Sequence, residues 1–166
     1  MGDRDTAGPH RTPSQQIQIS DVTRLYLKNS APQTGSIARE SGYKAKTHSD
    51  EMRVAHWLYK TFGGDICLLK ESKEPGSKTP DFLWNGDLWE LKNVTTKNSV
   101  DRAVREAAKQ IQGAPGGIIL NILNAEEGID AVIDATTQRF RRINLSSIDV
   151  LLISNGELQK ILRYQK

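Results

Sequence analysis

The sequence predicts an α/β fold in which a mixed sheet is flanked by helices. Three features indicate this fold: stretches with the periodicity of amphipathic helices, short apolar runs typical of buried strands, and two Asn-Gly pairs that favour tight hairpin turns. The chain has 166 residues, which is long enough for one domain with a substantial core.

The chain is expected to divide near residue 46. Residues 1–46 are rich in Gly, Pro, Ser, Thr and Gln, which predicts a flexible or loosely docked arm with at most one short element. Residues 47–166 are expected to form the folded domain, with the element order α-β-β-β-α-β-α-β-β. The predicted elements cover residues 49–62, 66–71, 81–84, 87–93, 99–112, 118–123, 125–140, 149–154 and 157–164.

Local signals set the boundaries of these elements. Thr47 or Ser49 can cap the first helix, and the glycine pair at 63–64 ends it. The second helix is expected to stop at 113–117, which contains three glycines and a proline. A continuous apolar run follows at 118–123, and such a run predicts a buried strand. The third helix has an apolar stripe formed by Ile129, Val132, Ile133, Thr136 and Phe140.

Composition excludes some classes of protein and permits others. The formal net charge of +3 and the isoelectric point of about 9.0 permit a nucleic-acid partner without requiring one. Cys67 is the single cysteine, which excludes an internal disulfide framework, and its apolar neighbours favour a buried strand position. No apolar run has the length of a membrane span. The N-terminus has no apolar signal core, so we expect no signal peptide, and the route of delivery stays open.

The most informative segment runs from Pro80 to Lys92 and reads as a hairpin closed by Asn85-Gly86. A two-residue turn fixes the register, so Trp84 opposes Asp87, Leu83 opposes Leu88, Phe82 opposes Trp89, and Asp81 opposes Glu90. Two like charges placed directly opposite each other are destabilising unless a cation lies between them or one carboxyl group is protonated. Lys92 follows Glu90 by two residues and therefore projects from the same face.

A third carboxylate comes from the first predicted helix. Glu51, Ala55, Leu58 and Phe62 lie on one helical face, and most of this face is apolar or small, so it should pack on the sheet. Glu51 is then directed toward the core at the start of the helix, where a carboxylate needs a partner. An acid in the first turn can also simply favour the helix dipole, and the sequence leaves both readings open.

These residues resemble the motif of the PD-(D/E)xK nuclease superfamily, in which Pro80-Asp81 is followed by Glu90-Leu91-Lys92 and preceded by a helical Glu51. More narrowly, residues 47–166 are similar to the C-terminal tRNase domain of contact-dependent growth inhibition toxins of the CdiA type, and to related phage and mobile-element domains. The resemblance implies a restriction-endonuclease-like α-β-β-β-α-β core, followed here by a C-terminal helix and a β-hairpin. It also implies a role for Gln110 near the site, although an ordinary polar residue at a helix end explains Gln110 equally well.

The donor set suits hydrolysis assisted by a divalent cation. Glu51, Asp81, Glu90 and the backbone carbonyl of Leu91 would offer hard oxygen ligands for Mg²⁺ or Mn²⁺. Lys92 would orient the attacking water or neutralise charge on the phosphate. A metal-free ribonuclease that uses the 2′-hydroxyl is less well supported, because His48 and His56 have no evident partner, and both are expected on the helix surface or in solvent.

We expect the nucleic-acid contacts to be mainly to phosphate groups. The candidates lie beside the motif, after it, and along one face of the second helix: Lys78, Thr95, Lys97, Asn98, Arg102, Arg105 and Lys109. A solvated helix face explains the last three equally well.

Three functions remain in competition. The first is a metal-dependent nuclease that cleaves tRNA as an antibacterial toxin in the bacterial cytoplasm, with an acidic immunity protein as its partner. The second is a DNA endonuclease of a phage or mobile element, and the third is a catalytically inactive nucleic-acid-binding module. The presence of Glu51, Asp81, Glu90 and Lys92 disfavours the third. The oligomeric state is left open by the sequence.

Overall fold

The computed structural model describes residues 16–74, 79–111, 116–123 and 128–166. Within these residues, eight strands form one mixed sheet in the order β1-β8-β7-β6-β5-β4-β3-β2, with helices on both faces. The expected mixed sheet flanked by helices is therefore confirmed. The elements are β1 (Gln18–Asp21), α1 (Thr23–Lys28), β2 (Gly35–Arg39), a 3₁₀ turn (Ala45–Thr47), α2 (Ser49–Thr61), β3 (Gly64–Leu68), β4 (Phe82–Trp84), β5 (Asp87–Val94), α3 (Lys97–Ile111), β6 (Gly116–Ile122), α4 (Ile129–Phe140), β7 (Ser147–Ser154) and β8 (Glu157–Gln165).

The hairpin of β4 and β5 has the register that its turn predicts. Three of the expected pairs form, namely Phe82 with Trp89, Leu83 with Leu88 and Trp84 with Asp87. Asn85 and Gly86 have φ values of 51° and 85°, in the left-handed region that a two-residue turn of this kind requires.

The fourth expected pair, Asp81 opposite Glu90, is not part of the ladder, because Asp81 lies one residue before β4 begins. Its backbone N–H still donates to the Trp89 carbonyl oxygen at 3.1 Å. The next N–H group on β5, that of Leu91, donates to the Asp81 carboxylate at 2.7 Å. A side-chain acceptor thus takes over where the strand ladder ends.

The segment before residue 47 contains more structure than the one short element expected from sequence. β1 pairs antiparallel with β8 at one edge of the sheet, and β2 pairs parallel with β3 at the other. Gly63 ends α2 with a φ of 72°, and a Cβ atom there would lie 1.9 Å from the carbonyl oxygen of Ala31, so this segment packs closely on the helix end. Residues 1–15 lie outside the described residues, and a domain boundary at residue 46 stays a prediction.

The other boundaries differ by a few residues from those expected. α3 begins at Lys97 rather than Ser99, because the hydroxyl oxygen of Thr96 accepts the N–H of Ser99 at 3.3 Å and caps the helix earlier. β3 covers Gly64–Leu68 rather than 66–71. The expected loop residues 75–78, the helix stop at 113–115 and the expected start of the third helix at 125 lie outside the described residues.

Two apolar cores cover the two faces of the sheet. The core under α2 contains Leu58, Trp89 and Ile119, and the core under α3 and α4 contains Val104 and Ile118, all of which are buried. The central strands therefore contribute to both cores, as their apolar composition predicts. None of the helices in the described residues is long and apolar enough to span a membrane.

Candidate active site

Three carboxylates from separate elements come together at one end of the β4–β5 hairpin. The first turn of α2 supplies Glu51, the residue before β4 supplies Asp81, and β5 supplies Glu90. Glu51 and Asp81 line a cavity of about 220 Å³ together with Leu91 and Asn93. Glu90 is 3% exposed, so its carboxyl group is held almost fully out of water.

The three carboxylates interact strongly. Burial, together with the nearby Asp81 carboxylate, raises the pKa of Glu90 to about 9, although the positive charge of Lys92 opposes the change. Burial likewise raises the pKa of Glu51 to about 8, again with a contribution from Asp81, while the hydrogen bond from Tyr43 opposes it. Both glutamates thus favour the protonated form when no cation is present, as expected for acids crowded together in a low-dielectric setting.

Asp81 is fixed by the backbone around it. Its carboxylate accepts the Leu91 N–H at 2.7 Å, and its own carbonyl oxygen accepts the Leu69 N–H at 3.0 Å. These bonds tie the aspartate to β5 on one side and to the end of β3 on the other. The carboxylate position therefore depends on the sheet rather than on a free loop.

α3 supports the site from the face of the sheet opposite to the one that α2 covers. Lys92 Nζ lies 3.7 Å from Glu90 Oε1 and 3.6 Å from Glu106 Oε2. With its amide nitrogen turned toward the carboxylate, Gln110 donates to both oxygens of Glu90, at 3.1 and 3.3 Å. Glu106 was missed from sequence, although it precedes Gln110 by four residues and so shares its helix face.

A second missed group lies on the α2 side. The Tyr43 hydroxyl donates to Glu51 Oε2 at 2.8 Å, and His48 Nδ1 lies 3.3 Å from Glu51 Oε1. His48 Nε2 also lies 3.6 Å from Glu71. The expectation that His48 has no partner is therefore wrong, and the spacing of three residues between His48 and Glu51 across the helix start was the available signal.

The expected nucleic-acid contacts lie at the surface. The six candidates that fall within the described residues are all exposed: Thr95, Lys97, Asn98, Arg102, Arg105 and Lys109. They follow β5 or lie along α3 and are not gathered around the cavity that Glu51 and Asp81 line. Lys78 lies outside the described residues, and the assignment of all seven stays a prediction.

The donor chemistry fits a hard divalent cation, because Glu51, Asp81, Glu90 and the Leu91 carbonyl offer oxygen ligands. Burial is the main cause of the raised pKa values of both glutamates, and repulsion from Asp81 adds to it; a bound cation would relieve both effects by favouring the charged carboxylates. In the described part of the chain, however, no three His, Cys, Asp or Glu side chains are already grouped as a ready metal site. An ion would have to draw these carboxylates closer together.

Comparison with known proteins supports the narrower of the two expected resemblances. Residues 78–158, just under half of the chain, match the family described as contact-dependent growth inhibition CdiA C-terminal domain. This segment is therefore similar to a family of toxin domains, whereas membership of the wider PD-(D/E)xK superfamily stays a prediction. No curated protein matches the chain.

A solved structure, a CdiA-CT/CdiI toxin and immunity complex from Burkholderia pseudomallei, shares 17% sequence identity with this chain. The similarity covers 74% of this chain and 97% of that one, with a TM-score of 0.46.

Proposed function

We propose that this chain is a metal-dependent nuclease that hydrolyses phosphodiester bonds in tRNA and acts as an antibacterial toxin in the bacterial cytoplasm. The observation that carries the catalytic part is the convergence of Glu51, Asp81 and Glu90, with Lys92 3.7 Å from Glu90. The similarity of residues 78–158 to a toxin-domain family supports the biological part.

In this proposal Glu51, Asp81, Glu90 and the Leu91 carbonyl would hold Mg²⁺ or Mn²⁺, and the ion would supply positive charge that polarises the scissile phosphate and lowers the pKa of water. Lys92 contributes positive charge beside the phosphate oxygens, where negative charge grows during the reaction. Water adds to phosphorus as the bond to the 3′-oxygen breaks, and the products are a 5′-phosphate and a 3′-hydroxyl.

The remaining residues hold these groups in place. Gln110 and Lys92 contact Glu90 from α3, while Tyr43 and His48 contact Glu51. Pre-positioned side chains lower the cost of reaching the reactive geometry, because little reorganisation is then needed.

Such an activity makes a partner necessary. A nuclease that acts on tRNA would damage the cell that makes it, so we propose an immunity protein that covers the site. An acidic surface on that partner would match the net charge of +3. A pull-down of this protein from its native host tests for that partner. If no stable, acidic protein is captured with it, the proposed immunity protein is not supported.

The activity is tested by incubating the protein with total RNA and with plasmid DNA, in Mg²⁺ or in EDTA. Cleavage of RNA that EDTA and Asp81→Ala both abolish supports the proposal. Asp87→Ala is a matched control, because Asp87 is an exposed aspartate at the turn end of the same hairpin and should leave activity unchanged. Metal-dependent cleavage of DNA alone would instead assign a DNA endonuclease, and no cleavage by the folded protein would leave a binding module.

A further inference from the structure

A second cavity, of about 380 Å³, lies beside the candidate active site. Three lysines line it, namely Lys44, Lys70 and Lys73, and the other lining residues include Tyr43, His48 and one glutamate, Glu71. Its volume falls within the roughly 300–1,000 Å³ typical of ligand sites. The three lysines outnumber the single acid, so the cavity favours an anion.

This lysine cavity adjoins the cavity that contains the carboxylates. His48 lines both it and the 220 Å³ cavity that contains Glu51 and Asp81. His48 also contacts Glu51 at 3.3 Å and Glu71 at 3.6 Å, and so lies between the two sites. An extended ligand bound at the carboxylates would therefore have the lysine cavity next to it, on the other side of His48.

The chain segments that line the lysine cavity are fixed by hydrogen bonds to Asp81 and Glu51 of the candidate active site. The Leu69 N–H donates to the Asp81 carbonyl oxygen at 3.0 Å, which fixes the chain immediately before Lys70. Tyr43 precedes Lys44 and donates to Glu51 at 2.8 Å. Two of the lysines thus follow residues that are bonded directly to the proposed metal ligands.

The three lysines are available to a ligand. All three side chains are exposed, and no salt bridge found within the described residues uses them. By contrast, the basic residues Arg139 and Arg142 both contact Asp101, and Arg163 contacts Asp149. Unengaged ammonium groups that line an adjoining cavity are what a polyanionic strand requires.

We propose that the lysine cavity binds backbone phosphates of the substrate strand next to the phosphate that is cut. The inference rests on the proposed nuclease function and identifies Lys44, Lys70 and Lys73 as the contacts. It moves the main phosphate-binding surface away from the exposed face of α3, where the sequence suggested it.

Two triple variants test the assignment, because each removes three positive charges from exposed positions. One changes Lys44, Lys70 and Lys73 to alanine; the matched control changes Arg102, Arg105 and Lys109 to alanine. Both are made together with Asp81→Asn, so that bound RNA is not cut. Affinity for labelled bulk tRNA and for a short single-stranded RNA is measured over a range of salt concentrations, with urea unfolding as the check on folding.

We expect the lysine-cavity variant to lose affinity for single-stranded RNA on the order of 100-fold at about 0.1 M salt, and to lower the log–log salt slope by about 2, because each phosphate contact contributes roughly 0.7. The α3 variant should change the RNA affinity and the salt slope much less. A larger loss from the α3 variant, or equal losses from both, would overturn the assignment. Polyglutamate serves as a second probe, which stands for an acidic protein. If the lysine-cavity variant binds RNA unchanged but binds polyglutamate more weakly, the assignment is overturned, and the cavity's ligand would be an acidic protein instead.

A cleavage assay separates this inference from the nuclease proposal. Without Asp81→Asn, the lysine-cavity variant should raise KM for RNA while kcat stays within a few-fold. If the unaltered protein cuts no nucleic acid but the binding result holds, the nuclease proposal fails and the phosphate-binding cavity stands. If RNA is cut with an unchanged KM, only the cavity assignment fails.

Discussion

Asp81→Asn should make the metal-free protein more stable while abolishing its activity. The substitution keeps the shape of the side chain, and its oxygen can still accept the Leu91 N–H. It removes one negative charge from a cluster in which Asp81 raises the pKa values of both Glu51 and Glu90. Above about pH 9, where Glu51 and Glu90 have lost their protons, the folded protein should therefore lose a source of repulsion.

The gain can be bounded. One unit of pKa shift corresponds to about 1.4 kcal/mol, and Asp81 is one of several contributions at each of two glutamates. We therefore expect a gain of about 1–2 kcal/mol in the free energy of unfolding above about pH 9, where both glutamates are ionised, which corresponds to roughly 2–8 °C in Tm for a chain of this size. The new amide N–H groups can donate to a neighbouring carboxylate and add to this gain.

Urea unfolding at about pH 9.5 in EDTA, where both glutamates are ionised, and again in Mg²⁺ measures the effect. Mg²⁺ should stabilise the unaltered protein and should no longer stabilise Asp81→Asn, because an amide is a poorer ligand than a carboxylate. Asp87→Asn, which changes an exposed aspartate at the turn, should shift stability by no more than about 0.5 kcal/mol. A variant that is less stable than the unaltered protein in EDTA and still gains stability from Mg²⁺ would refute the reasoning about the cluster.

Three further outcomes are expected. Glu106→Gln removes the carboxylate that lies 3.6 Å from Lys92, and it should lower kcat about tenfold with little change in RNA affinity. The free energy of unfolding should change little, because an exposed ion pair contributes roughly 0.2–1 kcal/mol to stability. An unchanged kcat would exclude a positioning role for Glu106. Glu51 and Glu90 bind a proton more tightly in the folded protein than in the unfolded chain. In EDTA, the contribution of these two groups to the free energy of unfolding should therefore be greatest below pH 4.5 and should be lost as pH rises through about 8 and 9. Urea titrations at a series of pH values can check this. Tyr43→Phe removes a hydrogen bond that lowers the Glu51 pKa, and should move the acidic limb of the pH–rate profile to higher pH; an unmoved limb would mean that Glu51 does not titrate in catalysis.

The parts of the fold that were predictable are those whose causes are local in sequence. Asn85-Gly86 fixed the hairpin register, because a two-residue turn with positive φ allows only that pairing. The burial of Glu90 followed from the apolar residues on either side of it. Helix periodicity also brought Glu51 to the sheet, and its neighbours Ala55 and Leu58 are fully buried as expected.

The edge strands could not be predicted in this way. All four residues of β1 are exposed, and only Ile37 of β2 is partly buried, so neither strand has the alternation that marks a half-buried strand. Their pairing depends on strands far along the chain, β8 and β3 respectively. Tyr43 was missed for a related reason, since its polar neighbours gave no sign that the chain turns back toward Glu51.

The site gains its arrangement from lying at the end of a hairpin whose two faces are both covered. Glu51 approaches from the α2 side, whereas Gln110 and Glu106 approach from the α3 side and contact Glu90 and Lys92. Asp81 precedes its strand, so its carboxylate is near both groups while the sheet backbone holds it. Acids on opposite faces of a sheet are normally separated by the sheet itself, and only a position beyond the end of a strand lets one carboxylate interact with both.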